Sequence, residues 1–252
     1  MRRTASAAAH IACLAVGVTL TSSPQAFAQS GERPLPSDQI VACGPRLGGF
    51  GPPPPEHLVG APDNSVKRLF RQGDTVLLNV GSASDVAVGT QFFLRRRVSA
   101  TDLAVRALGF QADLTTGWLR TVTVEEHSAL AVIERTCADV HQNDYLAPFQ
   151  WPAGATTMAP GTANYDEPAL VLFGPDGRAL SAAGQQFVMN HGTDDGLALG
   201  QRVTVFRQNG TGPVTELGEG VTVLTADKWA TVFLTSTREP VHAGDRVAIQ
   251  RP

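Results

Sequence analysis

Two stretches of the 252-residue chain, Val140-His141-Gln142-Asn143-Asp144 and Val241-His242-Ala243-Gly244-Asp245, share the pattern Val-His-x-x-Asp. Imidazole and carboxylate side chains ligate zinc and exchange protons near neutral pH, so these residues are the first place to look for chemistry. A plainer role competes with that one. An aspartate in a tight turn leading into a strand caps backbone amides with its own carboxylate. Two equivalent copies also place their histidines and acids at separate, corresponding points, not around one ion. Asp144 and Asp245 are therefore expected to be structural turn residues, and no metal site is assigned.

The glycines form a second constellation. Gly81, Gly89, Gly192, Gly196 and Gly200 punctuate two related loops, with Asp85 where the second loop has Gly196. Positive backbone torsions, which glycine adopts freely and Asp or Asn tolerates, are the expected reason. The run Gly192-Thr193-Asp194-Asp195-Gly196 has neither the alternating acids nor the distal glutamate of a calcium loop. No G-x-S-x-G elbow, H-E-x-x-H pair or phosphate-cradling glycine loop occurs. No catalytic residue and no cofactor is assigned, and the chain is expected to be non-enzymatic. Arg95-Arg96-Arg97 reads as a solvated edge strand guarded by charge, with an acidic polymer as the sharper alternative. Trp118 and Trp229 do not occupy equivalent positions, so each is expected to pack in or near a core.

Charge narrows the class further. Twenty basic residues, of which only Lys67 and Lys228 are lysines, face 23 acids for a net charge of -3. That balance gives no footprint for nucleic acid. Arg2 and Arg3, the apolar run from Ala7 to Leu20 and the small residues of Ala26-Phe27-Ala28 are the parts of a cleaved secretory signal, with cleavage expected between Ala28 and Gln29. The run is too short to span hydrocarbon, and no transmembrane segment is expected in the mature chain. The expected location is periplasmic or secreted. Cleavage removes Cys13 and leaves one pair, Cys43 and Cys137, which an oxidising compartment joins most simply as a structural disulfide.

Positions 73–89 match 184–200 at an offset of 111, and Ala129–Leu146 matches Ala230–Val247 at an offset of 101. Two blocks recurring in the same order mark a tandem duplication, with about ten extra residues in the first copy, within 98–116. Short β-branched runs bounded by turn formers, several alternating apolar with polar, fill both copies. The fold class is all-β: two tandem small β-barrels or sandwiches. Only 36–43 and 100–108 suit short helices. The divisions are a signal at 1–28, a Pro/Gly-rich surface arm at 29–66, copies at 67–149 and 167–252, and a linker at 150–166.

The run from Gln186 to Val205, with Glu239-Pro240-Val241-His242-Ala243-Gly244-Asp245-Arg246-Val247, resembles the C-terminal β-domain of flagellar assembly protein T and domains that follow LysM modules in bacterial envelope proteins. The resemblance spans about 168–250, and more loosely 70–149. It implies SH3-like β-domains without catalysis. The expected role is an exported envelope interaction or scaffolding module, with an envelope protein or peptidoglycan as partner. A glycan-binding module is the runner-up, and a hydrolase the third reading.

Overall fold

The computed structural model describes residues 33–49, 51–63, 66–210 and 212–251; the expected cleavage site at Ala28 and Gln29 lies outside the described residues. A short helix α1 (Asp38–Ala42) and strand β1 (Arg46–Leu47) lead into the first copy. That copy holds β2 (Leu58–Gly60), β3 (Leu69–Phe70), β4 (Thr75–Leu78), β5 (Gln91–Ser99), helix α2 (Leu103–Ala107), β6 (Gln111–Val124), β7 (Ala129–Thr136), β8 (Val140–His141) and β9 (Tyr145–Pro148). The second holds β10 (Thr162–Phe173), β11 (Leu180–Ser181), β12 (Gln186–Met189), β13 (Arg202–Arg207), β14 (Thr215–Thr225), β15 (Ala230–Thr237), β16 (Val241–His242) and β17 (Arg246–Arg251).

Strand order is β2-β4-β7-β6-β5-β9 in the first copy and β10-β12-β15-β14-β13-β17 in the second, the same sequence of neighbours element for element. The paired strands β3·β8 and β11·β16 repeat as well. The duplication seen in the residues is thus a duplication of topology. The second sheet closes into a barrel through β10 and β17, which removes its free edges. The first curls into a half-barrel. Its outer strands meet through one bridge, His57 with Tyr145, flanked by Leu58 N donating to the Asp144 carbonyl at 2.9 Å and Leu146 N to that of Glu56 at 2.8 Å.

Period-two alternation turns one face of each strand inward. Val76, Leu78, Ile133 and Val140 fill the first interior, and their counterparts Phe187, Met189, Leu234 and Val241 fill the second. Burial of each such side chain contributes about 1.5–3 kcal/mol relative to exposure.

The ten extra residues of the first copy have a definite use. They contain α2, capped by Asp102, whose carboxylate accepts from the amides of Ala104 and Val105 at 2.9 and 3.0 Å. Val105, with Ala100 and Ala112, packs in one apolar cluster with Leu172, Phe173 and Val188 of the second copy. Thr101 donates its amide to the Gly177 carbonyl at 2.9 Å. The insertion is therefore one element that docks one barrel on the other.

Three sequence expectations need correction. The segment at 29–66 is not simply a surface arm: Leu58–Gly60 is a barrel strand, and Val41 and Ala42 are buried. Residues 33–47 instead thread between the copies. Arg33 N donates to the Thr235 carbonyl at 3.2 Å, Gln186 Nε2 to that of Ile40 at 2.9 Å, and Thr231 Oγ1 to that of Pro45 at 2.8 Å. Arg95-Arg96-Arg97 does not lie on an edge strand throughout: β5 is an interior strand, paired with β6 along its length and with β9 as far as Arg95, beyond which Arg96 and Arg97 pair with β6 alone. The linker at 150–166 is partly structured, since β10 already begins at Thr162.

Candidate functional site

The repeated Val-His-x-x-Asp forms two separate, equivalent clamps. Asp144, almost fully buried, accepts the His141 backbone amide at 2.9 Å, the Thr116 hydroxyl at 2.8 Å and a forked pair of bonds from Arg96 at 2.7 and 2.9 Å. Asp245 accepts the His242 amide at 2.7 Å and a fork from Arg207 at 2.8 Å on each oxygen. The histidines contribute backbone amides to these clamps, and their side chains lie on exposed positions of β8 and β16. Burial pushes the Asp144 carboxyl above its ordinary value, opposed by the His141 amide, the Thr116 hydroxyl and the Arg96 guanidinium. Among the described residues no three or more His, Cys, Asp or Glu gather as metal ligands would. Sequence reasoning read Arg96 as a charge guarding a strand edge and passed over Arg207, and so missed both as partners of the aspartates. The two arginines stand 111 positions apart, the offset of the first repeated block, and that signal was available.

The glycine loops divide into two physical cases. Gly89, Gly196 and Gly200 have φ of 90°, 77° and 83°, and Asp85 has φ of 58° in the place of Gly196. Gly81 and Gly192 do not follow the torsional explanation, since their φ values are -148° and -141°. Their reason is space: a Cβ there would strike the backbone carbonyls of Glu125 and Glu126, or of Ala226 and Asp227. Each loop bonds the same neighbouring turn. Ser82 and Ala83 donate to Glu125 and Glu126, as Thr193 and Asp194 do to Ala226 and Asp227.

Cys43 and Cys137 form a disulfide with a Cα–Cα distance of 5.5 Å, fixing the threading segment to the first barrel. Beside it Phe93, Trp118 and Tyr145 pack with Ala42. Trp118 is core, and its ring meets that of Trp151 edge-on at 5.4 Å. Trp151, in turn, is 39% exposed.

The remaining concentration of unusual side chains lies on the outer face of the first barrel. Strand alternation sends Phe93, Arg95 and Arg97 of β5 to one side, and β1 adds Arg46 in register with Asp113 of β6. Asp113 is buried and accepts from Arg97 Nε at 3.1 Å. Three guanidinium groups thus crowd one carboxylate. Burial, and then repulsion from Arg95, brings the Arg46 guanidinium down to about 10, against the attraction of Asp113 and Tyr145; burial also lowers that of Arg95. Arg46 and Arg95 open onto a cavity of about 450 Å³ whose other walls include Trp151, Leu199, Val223 and Trp229. Both copies line it, so it exists only because the barrels are docked. Arg46 sits on the two-residue strand β1 and Trp151 outside any strand, so neither carries a periodic signal in the sequence.

Against known protein families and curated proteins, the chain matches no family model and no curated sequence.

Proposed function

We propose that this protein is an exported, non-enzymatic module of the bacterial cell envelope that holds or presents a partner. One observation carries the reading: the aspartates and glycines of the repeated motifs are spent on architecture. Asp144 and Asp245 each hold an arginine and a turn amide, and the repeated glycines shape a loop. The resemblance to SH3-like domains of envelope proteins supports the same role. The disulfide favours an oxidising compartment. Among the described residues no helix is long and apolar enough to cross a membrane.

The test is cell fractionation of the full chain carrying a C-terminal tag, followed by crosslinking in the intact envelope. Export, with a crosslinked envelope protein or retention on isolated sacculi, is the expected outcome. A product that remains cytoplasmic, or that is exported and captures neither, would overturn the proposal. A glycan-binding role is the second reading, favoured by Trp151 and Trp229 on one cavity, because indole faces stack on sugar rings.

A further inference from the structure

Arginine pairs in this fold show two distinct environments. Arg96 and Arg207 have forked partners in Asp144 and Asp245. Arg46 and Arg95, by contrast, have buried Nε atoms with no hydrogen-bond partner among the described residues. Asp113, the acid that faces them, is already engaged by Arg97, and the Tyr145 hydroxyl that meets the Arg95 guanidinium carries no charge to offset it. Arg95 leans its guanidinium over the Phe93 ring at 5.3 Å, a contact that steadies a cation without neutralising it. One carboxylate shared among three guanidinium groups leaves part-buried positive charge in excess, which a bound anion would balance.

We propose that the cavity between the two barrels binds a small organic oxyanion, with Arg46 and Arg95 receiving the acid group and Trp151 and Trp229 flanking its body. The assignment rests on reading the molecule as a binding module and names the ligand chemistry of that module. Guanidinium planes present paired N–H donors that match carboxylate or phosphate oxygens. A volume of about 450 Å³ lies in the range of small-molecule sites, which set an apolar part beside converging polar groups. The indoles, with Leu199 and Val223, supply that apolar part and call for an organic body on the anion.

Two sources of the oxyanion can be separated. Purified, disulfide-intact protein is titrated with a soluble peptidoglycan disaccharide-tetrapeptide, with glycerol phosphate and with neutral chitotetraose. Tryptophan fluorescence is the readout, since two of the three tryptophans line the cavity. A saturable change and a raised Tm are expected with the carboxylate or the phosphate probe and not with chitotetraose. Affinity for that probe should fall at least tenfold in Arg46→Gln and in Arg95→Gln, and also as salt is raised in the unaltered protein. The salt series decides the matter if a variant fails to fold. Saturation by neither anionic probe, equal binding of chitotetraose, or salt-independent affinity would each overturn the assignment. Retention on sacculi without any of these responses would remove the cavity site and leave the module reading standing.

Discussion

The guanidinium of Arg96 grips the carboxylate of Asp144 through two hydrogen bonds, of 2.7 and 2.9 Å, and Arg207 repeats the grip on Asp245. Each pair ties the first long strand after the glycine loop to the turn before the last strand. Duplication kept the ion pair and its turn amide together, with one difference: only Asp144 also accepts a threonine hydroxyl, from Thr116.

Removing one partner of so buried a pair leaves the other without its charge. Asp144→Ala or Asp245→Ala should each lower unfolding stability by about 3 kcal/mol. Chemical denaturation followed by circular dichroism measures it. A loss below about 0.5 kcal/mol in both would mean that the clamps are surface ornaments of the turns.

Gly192 and Gly196 lie four residues apart and answer to different constraints, so substitutions there should diverge. Gly196→Asp reproduces what the first copy has at Asp85 and should cost under about 1 kcal/mol. Gly192→Ala drives a methyl group into the Ala226 and Asp227 carbonyls and should cost about 1–3 kcal/mol or more. A larger loss at Gly196 than at Gly192 would show that backbone torsion alone governs the loop.

Much of this architecture could be read before any coordinates. Duplication was visible because glycines at loop positions and aspartates at turns cannot be exchanged freely, and the offsets of 111 and 101 carry directly into equivalent strands. The helices over 36–43 and 100–108 were readable from local chemistry, as was the pairing of Cys43 with Cys137 from elimination. What could not be read was contact between distant segments. Arg96 finds Asp144 only when β5 lies beside β9, and Arg46 reaches the Arg95 face only when the proline-rich segment threads between the barrels. Local composition made that segment look like a surface arm because its prolines favour extended chain and say nothing of burial.

Both tyrosines of the chain have phenols raised above their ordinary value. Burial, aided by hydrogen bonding to Glu216, pushes Tyr165 up to about 12; burial and Asp113 raise Tyr145 further. A raised phenol contributes stability that is present below about pH 10 and is lost as pH climbs through the folded value. Absorbance near 295 nm should stay flat through pH 10 and rise only toward pH 12, together with a falling Tm. Ionisation of either tyrosine at pH 10 in the folded protein would contradict the burial described.

Reduction tests the threading segment. The bridge spans 94 positions, and chain-entropy reasoning assigns such a loop about 4–5 kcal/mol. Cys43→Ser with Cys137→Ser should lower stability toward that amount and open the segment around Gly44-Pro45 to proteolysis. The hydrogen bonds of Ile40 and Pro45 to the second barrel persist without the bridge. Cleavage should therefore accelerate without becoming immediate, and unchanged stability would mean that those bonds alone hold the segment.

The docking of the barrels depends on an insertion that only the first copy possesses. Val105 is 1% exposed and meets Leu172, Phe173 and Val188 from the other barrel, while Leu103 on the same helix is 72% exposed. Val105→Asp buries a charge with no partner in that cluster, and the cheapest relief is separation of the barrels. Calorimetry should then resolve two unfolding transitions in place of one, and the fluorescence of Trp229, which stands at the same junction, should shift toward that of exposed indole. Leu103→Asp is the control and should leave both unchanged. A single transition in Val105→Asp at an unaltered Tm would show that the threading segment, and not the insertion, holds the two copies together.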